Sequence, residues 1–257
     1  MGMLTGKKIL ITGVTMHTSI AFSVAQIAQQ EGAEVVVSNF GRGLNLTRRV
    51  VQKLDPVPAV LDLNVTDADA LAALPGQLRD LGFDHLDGVV HSIAYANPET
   101  ALGGAFLTTG WDDVATAVHT SAYSMQSLTM AVRELLGRGS SIVGLTFDAA
   151  ISWPTYDWMG VAKAALESTN RYLARYLGPD GIRSNLVAAG PLDTLAKKAI
   201  PGGSPFNDIW AGRAPLGWDA SDAVPAGKAV VALLSDWFPA TTGTIVYVDG
   251  GLHSTGA

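Results

Sequence analysis

Cysteine is missing from the 257-residue chain, which excludes a disulfide framework, a thiolate nucleophile and cysteine-ligated metal. Charge is sparse as well: Asp, Glu, Lys and Arg make up 16% of residues, with a net charge of -6. An acidic balance of that kind argues against a general grip on nucleic acid or on an anionic membrane surface. Long apolar runs are also lacking. None reaches the ~18 residues that a membrane span needs. The segment Met1 to Lys8 has none of the anatomy of a signal peptide and leads directly into an apolar strand. His91, His119 and His253 have no metal-ligand spacing, so no metal is assigned. With no linker, low-complexity tract or internal repeat, the expectation is one cytoplasmic, core-rich domain over residues 1–257.

What the chain does have is a regular alternation of short apolar runs and longer helical ones. Strands are expected at 8–12, 34–38, 59–63, 86–92, 140–145, 182–188 and 244–248. Helices are expected at 19–30, 46–54, 68–81, 111–136, 158–177 and 222–234, with a loop-rich lid at 191–218. The strands read as continuous apolar runs, as sheets covered on both faces require. Strands separated by helices predict an α/β protein, a Rossmann-type doubly wound parallel sheet of seven strands.

In such sheets ligands lie beyond the carboxyl ends of the strands. The first of these ends holds Gly13, suited to a tight turn, and then Ser19 and Ile20 at a helix start, where free backbone N–H groups can hold a pyrophosphate. Gly13 is the only glycine there, so G-x-G-x-x-G is absent, and an ordinary turn with Ser19 as N-cap explains the segment equally well. Phe40 after the second strand can cover an adenine face. Arg42 is either a 2′-phosphate ligand or simply solvated. Asn64 and Val65 follow the third strand, and His91, Ser92, Ile93 and Ala94 end the fourth. Each is ordinary alone; their recurrence at successive strand ends points to a dinucleotide.

Tyr156 and Lys163 stand seven positions apart after an apolar strand, about two helical turns. A protonated phenol can donate to an oxygen that becomes negative, and an ammonium beside it can hold ribose hydroxyls and positive potential. The bland alternative is a core tyrosine and a surface lysine.

These segments together resemble a known family. Thr12-Gly13 with Ser19-Ile20-Ala21-Phe22, Leu86 through Ile93, Ser121-Ala122-Tyr123-Ser124, Tyr156-Asp157-Trp158-Met159 with Val161-Ala162-Lys163, Arg183 through Pro191, and Leu233 through Trp237 carry the likeness. The chain is similar to the NADH-dependent enoyl-[acyl-carrier-protein] reductases of bacterial type II fatty-acid synthesis, within the short-chain dehydrogenase/reductase superfamily and on its mycobacterial branch. The resemblance implies that Tyr156 donates to a thioester carbonyl, that Phe147 lies beside the nicotinamide and acyl chain, and that Lys163 holds the ribose. It implies an NADH shell of Gly13, Ser19, Ile20, Phe40, Asn64, Val65, Ile93, Ala94, Leu192 and Thr194. It also implies an enoyl thioester on acyl carrier protein or CoA as substrate, and a homotetramer.

Carbonyl reductases of the superfamily commonly place tyrosine and lysine four apart. The longer spacing here is compatible with conjugate reduction, where the hydride goes to C3, away from the carbonyl oxygen. Departures from the branch are Asn64 in place of aspartate, Ala94 in place of glycine, Thr146, Met16-His17, and a shorter segment from Thr194 to Pro215. A shorter wall predicts shorter acyl chains. A 3-oxoacyl reductase, a specialised enoyl reductase of a secondary pathway and a non-enzymatic dinucleotide sensor stay open as alternatives.

Overall fold

The computed structural model describes residues 2–201 and 206–256. Seven parallel strands form one sheet in the order β3-β2-β1-β4-β5-β6-β7. They are β1 (Lys8–Thr12), β2 (Glu34–Asn39), β3 (Ala59–Asp62), β4 (Leu86–His91), β5 (Leu136–Thr146), β6 (Arg183–Ala189) and β7 (Ile245–Val248). The chain runs outward from β1 to β3, then returns to start again on the other side of β1, so the order reverses between β1 and β4. That switch point opens a crevice at the carboxyl edge.

The alternation within each strand feeds two cores. Ile9, Ile11, Val35, Val37, Val90, Val143 and Val187 face one layer, with α1 (Ile20–Gln30) and α9 (Val224–Leu234). Leu10, Val36, Val89, Ile142 and Leu186 face the other, where α3 (Ala68–Asp80), α5 (Ser124–Ala131) and α6 (Asp157–Leu177) pack. Both faces of every central strand are therefore dry, which is why the runs are continuously apolar. α1 stops where expected: Glu31 is its C-cap, and Gly32 follows with φ 91°.

Four expectations change. The helix foreseen over 111–136 is interrupted: α4 (Trp111–Val118) passes through a π-helical turn at His119–Tyr123 into α5, and a 3₁₀ turn at Arg133–Leu135 precedes β5. β5 itself begins at Leu136 rather than 140. α2 (Arg42–Val50) starts four residues early, and a 3₁₀ turn takes over at Val51–Lys53. The loop-rich segment 191–218 also carries two short helices that were not expected, α7 (Leu195–Lys198) and α8 (Phe206–Arg213). Gly202, Gly203, Ser204 and Pro205, part of the expected lid, lie outside the described residues.

Candidate active site

A groove of about 570 Å³ runs along the carboxyl edge at the switch point. Gly13, Ser19, Ile20, Phe40, Asn64, Val65, Ile93, Ala94, Lys163 and Thr194 all line it. The backbone geometry explains the single glycine. Gly13 has φ 77°, and a Cβ there would sit 2.0 Å from the Ser92 carbonyl oxygen, so only glycine lets β1 turn this close to β4. Ser19 caps α1: its hydroxyl accepts from the Phe22 N–H at 3.2 Å and donates to the Met16 carbonyl at 2.7 Å. Capping and groove lining are one role here, since the cap aims the free N–H end of α1 into the groove.

Farther along, Phe40 is 46% exposed on the rim. Asn64 spends its carbonyl oxygen on the N–H and hydroxyl of Thr66, leaving its amide N–H₂ for another partner. Arg42 is exposed in the first turn of α2 and is not among the groove-lining residues. Asn39 ends β2 without a carboxylate; its side chain bonds the Val14 carbonyl, Thr47 and the Phe40 N–H.

A second cavity of about 280 Å³ continues from the groove. Ile20, Ala94, Leu145, Lys163 and Thr194 line both spaces. Leu192, read from the sequence as part of the cofactor shell, lines this cavity and not the groove. Phe147 and Tyr156 form its floor, with ring centroids 5.1 Å apart.

Lys163 is 6% exposed, so it is no surface lysine. Its Nζ donates to the Leu145 carbonyl at 2.9 Å, and burial brings the ammonium down to about 8, with Glu167 pulling the other way. Burial pushes the Tyr156 phenol well above its ordinary value, so it keeps its proton at neutral pH. Tyr156 stands at the helix start, as expected, and the helix begins one residue earlier than the expected 158. The tyrosine is the N-cap position of α6, which begins at Asp157. Its backbone there is still helical (φ -88°, ψ -26°), so Tyr156 and Lys163, two turns on, both reach the same cavity.

Three neighbours carry no signal in the sequence. Phe206 from α8 meets Tyr156 edge-on at 6.1 Å and Phe147 at 5.4 Å. Trp153 and Trp210 close the outer side of this cluster, 5.0 Å apart, with their indole N–H groups satisfied by the Asp148 and Asp249 carbonyls. Gly190 makes room, since a Cβ there would lie 2.7 Å from both Trp210 and Trp218. His91 is wholly buried and donates toward Ser124, whose own hydroxyl donates to the Thr120 carbonyl. Burial and then the Lys163 charge lower His91 to about 3, so it is neutral. Ser121, in the π turn, holds both backbone groups of Tyr95 and so fixes the chain just past Ala94.

The geometry is that of a dinucleotide groove ending at a buried phenol and ammonium, with an apolar chamber behind them. Similarity to known proteins agrees with it. The family model described as enoyl-(acyl carrier protein) reductase matches residues 13–253. An enoyl-[acyl-carrier-protein] reductase [NADH] of Mycolicibacterium smegmatis is 45% identical across 97% of each chain. Its namesake in Mycobacterium avium is 44% identical across 97% of each. The enzyme of that name in Neisseria meningitidis is 38% identical, covering 98% of this chain and 96% of its own.

Proposed function

The chain belongs to the enoyl-(acyl carrier protein) reductase family, and we infer from this that it is an NADH-dependent enoyl-[acyl-carrier-protein] reductase of fatty-acid synthesis. The observation that carries the reading is the shared wall: Lys163 lines both the groove and the cavity, and Tyr156 closes the cavity beside it.

The residues fit NADH. Gly13 lets backbone approach the pyrophosphate, and the capped start of α1 at Ser19 and Ile20 offers it N–H groups. Phe40, Asn64 and Val65 hold the adenosine end; Ile93, Ala94, Lys163 and Thr194 hold the nicotinamide riboside end. Leu192 stands where that end meets the acyl cavity. Bound NADH supplies the hydride that goes to C3 of a trans-2-enoyl thioester.

The chain's own side chains do the rest. The Tyr156 phenol donates to the thioester carbonyl oxygen as negative charge gathers there. Lys163 keeps a positive charge beside it in a dry site, where it acts more strongly than in water. Phe147 sits against Tyr156 and limits where the acyl chain can lie. Segment 191–218 serves as a lid, a reading supported by Leu192, Thr194, Ile200 and Phe206, which all face the cavity. Phe206 bounds the cavity, backed by Trp153 and Trp210 packed against its ring, which favours short and medium acyl chains.

The same reading includes a homotetramer in the cytoplasm. α6 carries Tyr172 and Tyr176 stacked at 6.5 Å and largely exposed, a surface that a further copy can cover. No described helix is long and apolar enough to cross a membrane.

NADH oxidation with crotonyl-CoA against acetoacetyl-CoA tests the reaction. Turnover of the first alone is expected; turnover of the second alone would make the chain a carbonyl reductase. Parallel assays with acyl carrier protein thioesters and with NADPH define delivery and cofactor choice.

A further inference from the structure

Tyr156 is held on a bent strap. The residues on either side of it, Thr155 and Asp157, have φ of 63° and 41°, and no other described non-glycine residue has positive φ. For a β-branched threonine this backbone is unfavourable and persists only when surrounding contacts over-determine it.

Those contacts come from one segment. The Asp157 carboxylate accepts from the Gly104 N–H at 2.6 Å and the Ala105 N–H at 3.1 Å, both through Oδ2. The Gly103 N–H donates to the Thr155 carbonyl at 2.9 Å, and the Trp158 N–H to the Ala101 carbonyl at 3.3 Å. The Trp158 indole donates to the Phe106 carbonyl at 3.1 Å and stacks on the Phe106 ring at 4.9 Å. Every residue from Thr155 to Trp158 except Tyr156 is thereby tied to 101–106. The tyrosine is left to point into the cavity, where Leu102 of the same segment forms part of the wall.

Charge distinguishes Asp157 within this set. Its partners are two neutral peptide N–H groups, and a carboxylate accepting from them makes the strongest polar link between the two segments. It also tolerates the left-handed backbone better than most residues.

We propose that Asp157 is a positioning residue for the reaction, clamping the 101–106 segment to the tyrosine strap and so holding the Tyr156 phenol and the Leu102 wall at one separation. This rests on Tyr156 being the donor to the thioester carbonyl.

Asp157→Gly tests the proposal cleanly, because glycine accepts φ 41° and deletes only the carboxylate. With crotonyl-CoA and NADH, kcat is expected to fall by about tenfold to a hundredfold, the scale of a misplaced reacting group, while the Kd for NADH stays within about twofold. Asp157→Asn keeps an oxygen for both N–H groups and is expected to restore kcat to within about threefold of wild type. In a Tyr156→Phe background, Asp157→Gly should change the residual kcat by less than about twofold, since a residue acting through Tyr156 has nothing left to position. A wild-type kcat in Asp157→Gly overturns the proposal. So does an equal loss in the Tyr156→Phe background, which would mark general damage to the fold. A wild-type enzyme that reduces acetoacetyl-CoA and no enoyl thioester refutes the assigned reaction instead, and the same cycle then tests the clamp on that substrate.

Discussion

The Lys163 ammonium donates to the Leu145 carbonyl at 2.9 Å from within the wall shared by the switch-point groove and the second cavity. One of its three donors is thus committed to the sheet, and the other two are directed by it. Because burial brings this lysine down to about 8, its charge is lost well below the range of a solvated lysine. It is charged below that pH and neutral above. NADH affinity is therefore expected to be level on the acid side of pH 8 and to weaken as pH rises through it. Calorimetric Kd values across the range check this, and Lys163→Met should bind weakly with a flat profile. A level wild-type profile would show that the charge does not hold the cofactor.

Tyr156 behaves differently, since burial raises its phenol instead of activating it. The proposed role is that of a hydrogen-bond donor, and removing such a donor typically costs about a hundredfold to a thousandfold in kcat. Tyr156→Phe should show a loss of that size, with NADH affinity within about twofold of wild type. The packing with Phe147 and Phe206 survives the substitution, so the fold should not change. An unaltered kcat would remove the phenol from the mechanism.

Phe206 sets the depth of the cavity from α8, edge-on to Tyr156 and Phe147. Shortening it to alanine opens space toward Trp153 and Trp210. With C4 to C16 enoyl thioesters, the wild-type kcat/KM is expected to stop rising by C12, and Phe206→Ala to shift the optimum to longer chains. A wild-type kcat/KM that climbs beyond C12 would refute the short-chain assignment. The substitution also empties core volume, so Tm should drop in parallel, by an amount corresponding to about 3 kcal/mol.

His91 makes an acid-sensitive fold. Its folded value of about 3 lies below its ordinary 6.5, so between those values the unfolded chain binds the extra proton. Stability contributed by the neutral ring is complete above pH 6.5 and is lost as pH falls toward 3, by about 1.4 kcal/mol per pH unit. His91→Gln can still donate to Ser124 and does not titrate. Thermal unfolding measured from pH 7 down to 4 should give a shallower acid limb for the variant. Identical limbs would place the acid sensitivity on other groups.

Most of the lining of the switch-point groove is legible in the sequence. Strand periodicity predicts a parallel sheet, and a parallel sheet brings every strand's carboxyl end to one edge. Residues as distant as Gly13, Asn64 and Ala94 thus become neighbours by topology alone. Gly13, Ser19 and Gly32 could also be assigned locally, because turns and caps depend on a few adjacent residues. The second cavity is less legible. Nothing in the spacing of Phe206, Trp210 and Trp153 announces that they meet, for they sit on separate segments brought together only by packing.

The chain's own pattern of apolar runs, glycines and helix caps determined the seven-stranded sheet, its switch point and the set of groups at its rim. Those follow from backbone sterics and from hydrophobic periodicity, which act over a few residues. Tertiary structure decided that Lys163 is buried, that Tyr156 lies on a strap tied to 101–106, and that α8 closes the cavity. Each depends on which distant surfaces come into contact, and burial then changes what the same side chains can do: the lysine loses its proton more readily, and the tyrosine keeps its own.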